Sequence, residues 1–148
     1  MSFKLLLLFL HLLCVAVWLG CILVEAIFEH SIEPGPSMRC FVARLHWTTD
    51  KYIEIPAFAG VLLTGIGLAS KSNFNLLLEI KVGFGLLAVL ANLVCVALVV
   101  KRLKAAQAKD FAHYEVLDHL QHKVGAVVLL GVVVALSIGG YLFATGRY

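Results

Sequence analysis

Four long apolar runs decide what this chain can fold into. They cover residues 5–28, 52–70, 76–100 and 124–144. The hydrocarbon core of a bilayer needs roughly 20 apolar residues per helical span, so each run is long enough to cross it. Of the 148 residues, 61% are hydrophobic and only 14% are charged, and the connections are too short for a separate soluble domain. We therefore predict an all-α integral membrane four-helix bundle that forms one domain over residues 1–148.

The first run also admits a second interpretation. Lys4, the apolar stretch after it and the sequence Leu19-Gly20-Cys21 fit a lipoprotein signal peptide that is cut before Cys21. The run nevertheless stays apolar as far as Phe28, and Trp18 fits poorly three places before the cysteine. These features favour a membrane span.

The basic residues predict an orientation, because cytoplasmic flanks of membrane spans carry an excess of lysine and arginine. The first and third connections hold Arg39, Arg44, Lys51, Lys101, Arg102, Lys104, Lys109 and Lys123. The other side holds Lys4, Lys71 and Arg147. We therefore expect both termini on the outer, periplasmic side of a bacterial inner membrane. The basic balance then indicates contact with the membrane surface, and no motif for nucleic acid is present.

The two longer connections are themselves expected to be partly helical. Pro34, Gly35 and Pro36 must break the chain after the first span. Apolar residues then recur through residues 37–50, which predicts an interfacial helix that continues into the second span, with a kink at Pro56. Residues 110–122 resemble a second helix of this kind before the fourth span. Glycines near the outer ends of two spans indicate close helix packing or space for a flat cofactor; they are Gly65, Gly67, Gly139 and Gly140.

Ionisable residues inside the spans are costly and therefore point to function. At about 100° per residue, polar and small residues of the first run form one stripe that should face the bundle interior. The stripe contains His11, Cys14, Trp18, Cys21, Glu25 and Glu29. His11 and Lys81 lie at similar depth in the first and third spans. An imidazole and a cation at that depth suit a haem b, with His11 as axial ligand; the alternative is that both are satisfied structurally or reach toward the interface.

A second polar group gathers near the opposite membrane face. Its members are Glu25, Glu29, Asp50, Glu54, His119 and His122. Carboxylates and imidazoles from several helices are the ligand types with which bundles bind transition metals, and they can also relay protons. The alternative is that these are ordinary polar residues at span ends, paired with nearby basic residues. His122 is also a second candidate haem ligand, at a depth that would require a separate haem from that of His11.

Two segments resemble a known family. The run from His11 through Trp18 to Gly20 resembles the first helix of the bacterial membrane protoporphyrinogen oxidase and of the related copper-resistance D group. The segment around Lys81 resembles their third helix. The resemblance implies that His11 binds haem b and that Lys81 is needed for catalysis. Glu25 and Glu29 stand where that oxidase has a proline and an arginine.

These observations lead to three functional hypotheses. The first is a haem b redox protein that transfers electrons between quinone, or another small reductant, and a partner, in the manner of a porphyrinogen oxidase. The second is a transition-metal carrier or sensor that uses the Glu/Asp/His group. The third is a cofactor-free subunit of a membrane complex. The lipid bilayer is the expected partner in each, together with partner subunits or further copies of the chain.

Overall fold

The computed structural model describes residues 3–31, 35–72 and 75–146. The helices are α1 (Phe3–Ser31), α2 (Pro36–Thr49), a π-helical segment (Asp50–Glu54), α3 (Ile55–Ala69), α4 (Leu76–Gln107) and α5 (Phe111–Ala144). Within the described ranges there is no strand. The predicted all-α class is therefore confirmed. Pro34, the first residue of the predicted break, lies outside the described residues.

Four helical stretches are long and apolar enough to cross a membrane. They are Phe3–Ser31, Ser37–Ala69, Leu76–Gln107 and Phe111–Ala144. Their outer faces carry large apolar side chains that no other helix covers, such as Leu63, which is 70% exposed, and Leu90, which is 62% exposed. Such faces are stable against lipid and not against water. The chain is a multi-pass membrane protein whose exterior contacts the bilayer.

The helices extend beyond the apolar runs, since much of the connection between the third and fourth runs is itself helical. α4 reaches Gln107, and α5 begins at Phe111. Asp110 caps α5 by accepting a hydrogen bond from the backbone N–H of His113 at 3.1 Å, which satisfies one of the donors left open at a helix start. The same type of cap starts α4, where the Asn75 side chain accepts from the N–H of Leu78 at 2.9 Å.

The second span is one unbroken helical stretch from α2 through the π-helical segment to α3, as the pattern of residues 37–50 predicted. In the π-helical segment, the N–H of Ile55 donates to the carbonyl of Asp50, five residues earlier. Pro56 follows directly, and it has no N–H with which to bond the carbonyl of Tyr52. The missing α-helical bond makes this the point at which a wider turn is least costly.

Packing divides the bundle into two helix pairs, α1 with α3 and α4 with α5, while α2 packs against α4. The α4 and α5 backbones approach closely at Gly131, where an added Cβ would lie 3.0 Å from the Cβ of Ala88 and 3.0 Å from the carbonyl oxygen of Phe84. Small residues at such crossings are how membrane helices pack tightly. Trp18 of α1 and Phe58 of α3 are buried where the two pairs meet, with ring centroids 5.9 Å apart.

Candidate functional site

A cavity of about 370 Å³ lies between the two helix pairs, at the end of the bundle where α1 begins. Its lining along α1 runs from Leu8 to Trp18, which corresponds to about 15 Å at 1.5 Å per residue. The walls are almost entirely apolar, and His11 and Lys81 are their two ionisable residues. The volume lies in the range of small-molecule and cofactor sites, about 300–1,000 Å³. The structure thus places the two residues of the predicted outer group on one cavity.

The hydrogen bonds around His11 define the tautomer of its neutral ring. Nδ1 of His11 lies 2.9 Å from the hydroxyl oxygen of Thr64. That hydroxyl donates its only proton to the carbonyl of Gly60, at 2.5 Å. The Thr64 oxygen must therefore accept from His11, so Nδ1 carries the hydrogen. In the neutral ring, Nε2 is then the nitrogen with the free lone pair, which is the state that a metal-ligating histidine requires.

Two of the predicted glycines make room for the ionisable residues of the cavity. A Cβ added at Gly65 of α3 would lie 3.3 Å from Cε1 of His11. A Cβ added at Gly139 of α5 would lie 3.2 Å from Nζ of Lys81. Both positions therefore let a neighbouring helix backbone lie directly against an imidazole or an ammonium group. Gly85 and Gly140 also line the cavity and leave its walls flat.

The other end of the bundle contains a cluster of polar side chains, most of them buried, which we call the buried polar cluster. Its members are Glu25, Glu29, His46, Asp50, Glu54, Arg102, Asp118, Gln121 and His122. Asp50 is 1% exposed, and Arg102 is 0% exposed. Burying charged groups is costly unless they are paired with one another or with an ion. In this cluster, His46 and Arg102 are the main partners of the carboxylates.

His46 lies at the centre of one half of the cluster. Its Nε2 is 3.2 Å from Oε2 of Glu25 and 3.6 Å from Oδ1 of Asp50. Its Nδ1 is 2.8 Å from Oε1 of Glu29. One imidazole therefore faces three carboxylates that come from α1 and from the π-helical segment.

Arg102 organises the other half. Its guanidinium contacts Oε1 of Glu29 at 2.5 Å and also pairs with Asp118. The second oxygen of Glu29 lies 3.0 Å from Nε2 of His122. Glu29 is thus shared by Arg102, His122 and His46, and it joins the two halves of the cluster.

The π-helical segment brings three of these residues onto one face. In a regular α-helix, Glu54 would be rotated about 80° from His46, eight residues earlier. A π turn contains more residues per turn and so removes part of that rotation. His46, Asp50 and Glu54 are all buried as a result. Turns of this type are frequent at functional sites.

The predicted inner group is assembled in part. The structure gathers Glu25, Glu29, Asp50 and Glu54 in the buried polar cluster. The His122 side chain is 37% exposed and contacts Glu29, and it does not line the cavity of His11. His119 is exposed on α5. Two groups of closely spaced His and carboxylate side chains are found in the described residues, and His119 belongs to neither. They are Glu25, His46 and Asp50, and Glu29, Asp118 and His122.

The central residue, His46, is missing from the group predicted from the sequence, because it precedes the apolar run of the second span. Its signal was the spacing, since His46 precedes Asp50 by four residues and Glu54 by eight. Arg102 is one of the basic residues that predict the orientation of the chain, and Asp118 and Gln121 are not among the predicted site residues. Their burial depends on the helical extension of α4 and α5 beyond the apolar runs.

Comparison of the chain with known protein families, with curated proteins and with solved structures gives no match. The fold and the two polar sites define the class, a four-helix multi-pass membrane protein with ionisable groups in its interior. The geometry of the two sites is therefore the basis for assigning a function.

Proposed function

We propose that this protein binds haem b in the cavity of His11 and Lys81 and acts as a redox protein of the membrane. The observation that carries the proposal is the hydrogen bond from His11 to Thr64, which leaves Nε2 as the ligand nitrogen of a histidine that lines an apolar cavity. Haem proteins hold iron through such a histidine, and a partner on the other ring nitrogen orients the ring.

The remaining walls of the cavity fit this group. A haem is a flat apolar ring with anionic propionates, and the cavity offers an apolar slot with glycines on three of its helices. Lys81 is a cation at the wall, suited to hold a propionate or to deliver a proton at its Nζ. A haem bound there supplies one-electron redox chemistry. The chain contributes the ligand nitrogen, the exclusion of water and the positive charge.

The proposal extends to the setting of the protein. Basic residues are concentrated in the connections after α1 and after α4, which supports a bacterial inner membrane with both termini outside. The electron donor is a quinol or another small reductant, and the acceptor is a partner subunit or a second copy of the chain. The resemblance of α1 and α4 to membrane protoporphyrinogen oxidases supports a porphyrinogen as a candidate reductant. Alkaline phosphatase fused after the C-terminus should be active if that terminus lies outside.

The deciding experiment is an absorbance spectrum of the detergent-purified protein, oxidised and then reduced with dithionite, with haem quantified as the pyridine haemochrome. We expect one haem b per chain in the wild type and in His122→Ala. His11→Ala should lose it, while His119→Ala, the matched loss of an exposed histidine, should keep it.

A colourless protein from cells with ample haem would overturn the proposal. An unchanged haem content and spectrum in His11→Ala would do the same. Two haems per chain, one of them lost in His122→Ala, would add a second site at His122 and leave the assignment of His11 intact.

A further inference from the structure

We propose that Glu25, His46 and Asp50 bind a divalent transition-metal ion inside the buried polar cluster. The three come from α1, from α2 and from the π-helical segment. None of them lines the cavity of His11, so this site is independent of the proposed haem.

The spacing of the donor atoms fits a single ion. One ligand atom from each residue lies within 4.8 Å of the other two. Nε2 of His46 is 3.2 Å from Oε2 of Glu25 and 3.6 Å from Oδ1 of Asp50. Donors that bind one cation at about 2.0–2.2 Å lie roughly 3–3.5 Å from each other at tetrahedral or octahedral angles. The three side chains therefore already stand near the distances of a coordination shell.

Three buried carboxylate oxygens of Glu25 and Asp50 lack a hydrogen-bond partner among the described residues. Both carboxylate oxygens of Asp50, which is 1% exposed, have no hydrogen-bond partner among the described residues. Oε1 of Glu25 is buried in the same condition. Buried carboxylate oxygens without a hydrogen bond are strongly unfavourable, and the imidazole of His46 is an ion-pair partner that Glu25 and Asp50 must share. A divalent cation between Glu25 and Asp50 removes that cost for both.

Glu29 orients His46 for this role. A carboxylate paired with a buried guanidinium accepts hydrogen bonds, so Nδ1–H of His46 donates to Oε1 of Glu29 at 2.8 Å. The ring then presents Nε2 to Glu25 and Asp50 as the ligand atom. A carboxylate behind a histidine in this way is the usual outer shell of a protein metal site.

The positive charges of the cluster do not replace such an ion. Arg102 pairs with Glu29 and Asp118, and its guanidinium lies 3.1 Å from Nδ1 of His46, not at the Nε2 that faces Glu25 and Asp50. Among the described residues, Glu25 and Asp50 each form an ion pair with the imidazole of His46 and with no arginine or lysine. One nitrogen with carboxylate oxygens selects Mn²⁺, Fe²⁺ or Zn²⁺ over Mg²⁺ and Ca²⁺, which prefer oxygen alone.

The test is a titration of the full-length, detergent-purified protein with Mn²⁺ after removal of metals by a chelator. Bound Mn²⁺ is counted by electron paramagnetic resonance, and its pulsed spectrum is examined for modulation by an imidazole nitrogen. We expect saturation at one Mn²⁺ per chain with nitrogen modulation, and competition by Zn²⁺.

His46→Gln and Asp50→Asn should each weaken Mn²⁺ binding by more than the roughly 10- to 100-fold that loss of an outer-shell partner costs. The matched control His119→Gln should bind Mn²⁺ as the wild type does. Each variant is first checked for a monodisperse elution profile. Glu25→Gln replaces Asp50→Asn as the second ligand variant if the latter does not fold.

Three results would overturn the site. They are no saturable Mn²⁺ binding by the wild type, nitrogen modulation that persists in His46→Gln, and binding that His119→Gln weakens as much as His46→Gln does. In each case the cluster would not coordinate a metal. Its carboxylates would hold protons instead, or the Mn²⁺ would be bound elsewhere on the protein. Because haem absorbance depends on His11 and Mn²⁺ binding on His46, the failure of one proposal is distinguishable from the failure of the other.

Discussion

Nδ1 of His11 donates a hydrogen bond to the hydroxyl of Thr64, 2.9 Å away on a different helix. The hydroxyl can accept it because its own proton is given to the carbonyl of Gly60 at 2.5 Å. Three groups on α1 and α3 thus form one chain of donors and acceptors. This chain fixes which nitrogen of His11 remains available to a ligand.

Thr64→Val removes the acceptor while keeping the shape of the side chain. We expect haem affinity to fall about 10- to 100-fold, because the ligand histidine loses the partner that orients it. Thr64→Ser keeps the hydroxyl and should stay within a few-fold of the wild type. Titration of the haem-free protein with haemin measures both affinities. Equal affinities for Thr64→Val and Thr64→Ser would show that the hydrogen bond has no role in haem binding.

Gly65→Ala places a Cβ 3.3 Å from Cε1 of His11. The imidazole must then shift, and we expect less haem per chain and an altered Soret maximum. Gly83→Ala is the matched control, since a Cβ there has nothing within 4 Å. Haem content and the oxidised spectrum measure the effect, and an unchanged spectrum in Gly65→Ala would contradict the close fit of the ring.

Arg102→Met leaves two partly buried carboxylates, Glu29 and Asp118, without their guanidinium. Breaking one side of a buried ion pair costs about 3–5 kcal/mol, so we expect a clear loss of thermal stability in detergent. Adding Glu29→Gln should recover part of it, because one unpaired charge is removed. Arg44→Met, at an exposed arginine of α2, should change the melting temperature little. Equal melting temperatures for the Arg102 and Arg44 variants would contradict the structural role of the pair.

Gly131→Ala tests the crossing of α4 and α5. The new Cβ would lie 3.0 Å from both the Cβ of Ala88 and the carbonyl of Phe84. Neither neighbour is a flexible side-chain end, so the helices must separate, at a cost of about 1–3 kcal/mol for overpacking. Gly125→Ala, with nothing within 4 Å, is the control on the same helix. The order of melting temperatures should be wild type close to Gly125→Ala, and both above Gly131→Ala.

The spans were predictable because bilayer thickness sets their length and apolar composition marks them. The ends of the helices were not predictable in the same way, because α2 and the first turns of α5 are amphipathic or polar. Whether these segments pack against α4 depends on tertiary contacts. Arg102 shows the consequence. It was counted as a basic residue of a connection, yet the continued α4 carries it into the interior at 0% exposure.

The shared depth of His11 and Lys81 followed from counting residues at 1.5 Å each. The partner of His11, Thr64, could not be found by such counting. It depends on how α3 is rotated relative to α1, and a single sequence does not specify that rotation. His46 was missed for a related reason. Its place among Glu25, Glu29 and Asp50 arises from α2, the π-helical segment and α1 meeting in space.

The π-helical segment Asp50–Glu54 also separates two packing environments on one continuous helix. On one side of it α2 lies against α4, and on the other side α3 lies against α1. The second span therefore connects the two helix pairs. The rotation of its side chains about the helix axis changes at the π-helical segment, where the span passes from one pair to the other. We expect any motion that separates the two helix pairs and widens the cavity to bend the second span at this segment, which contains Asp50 and Glu54.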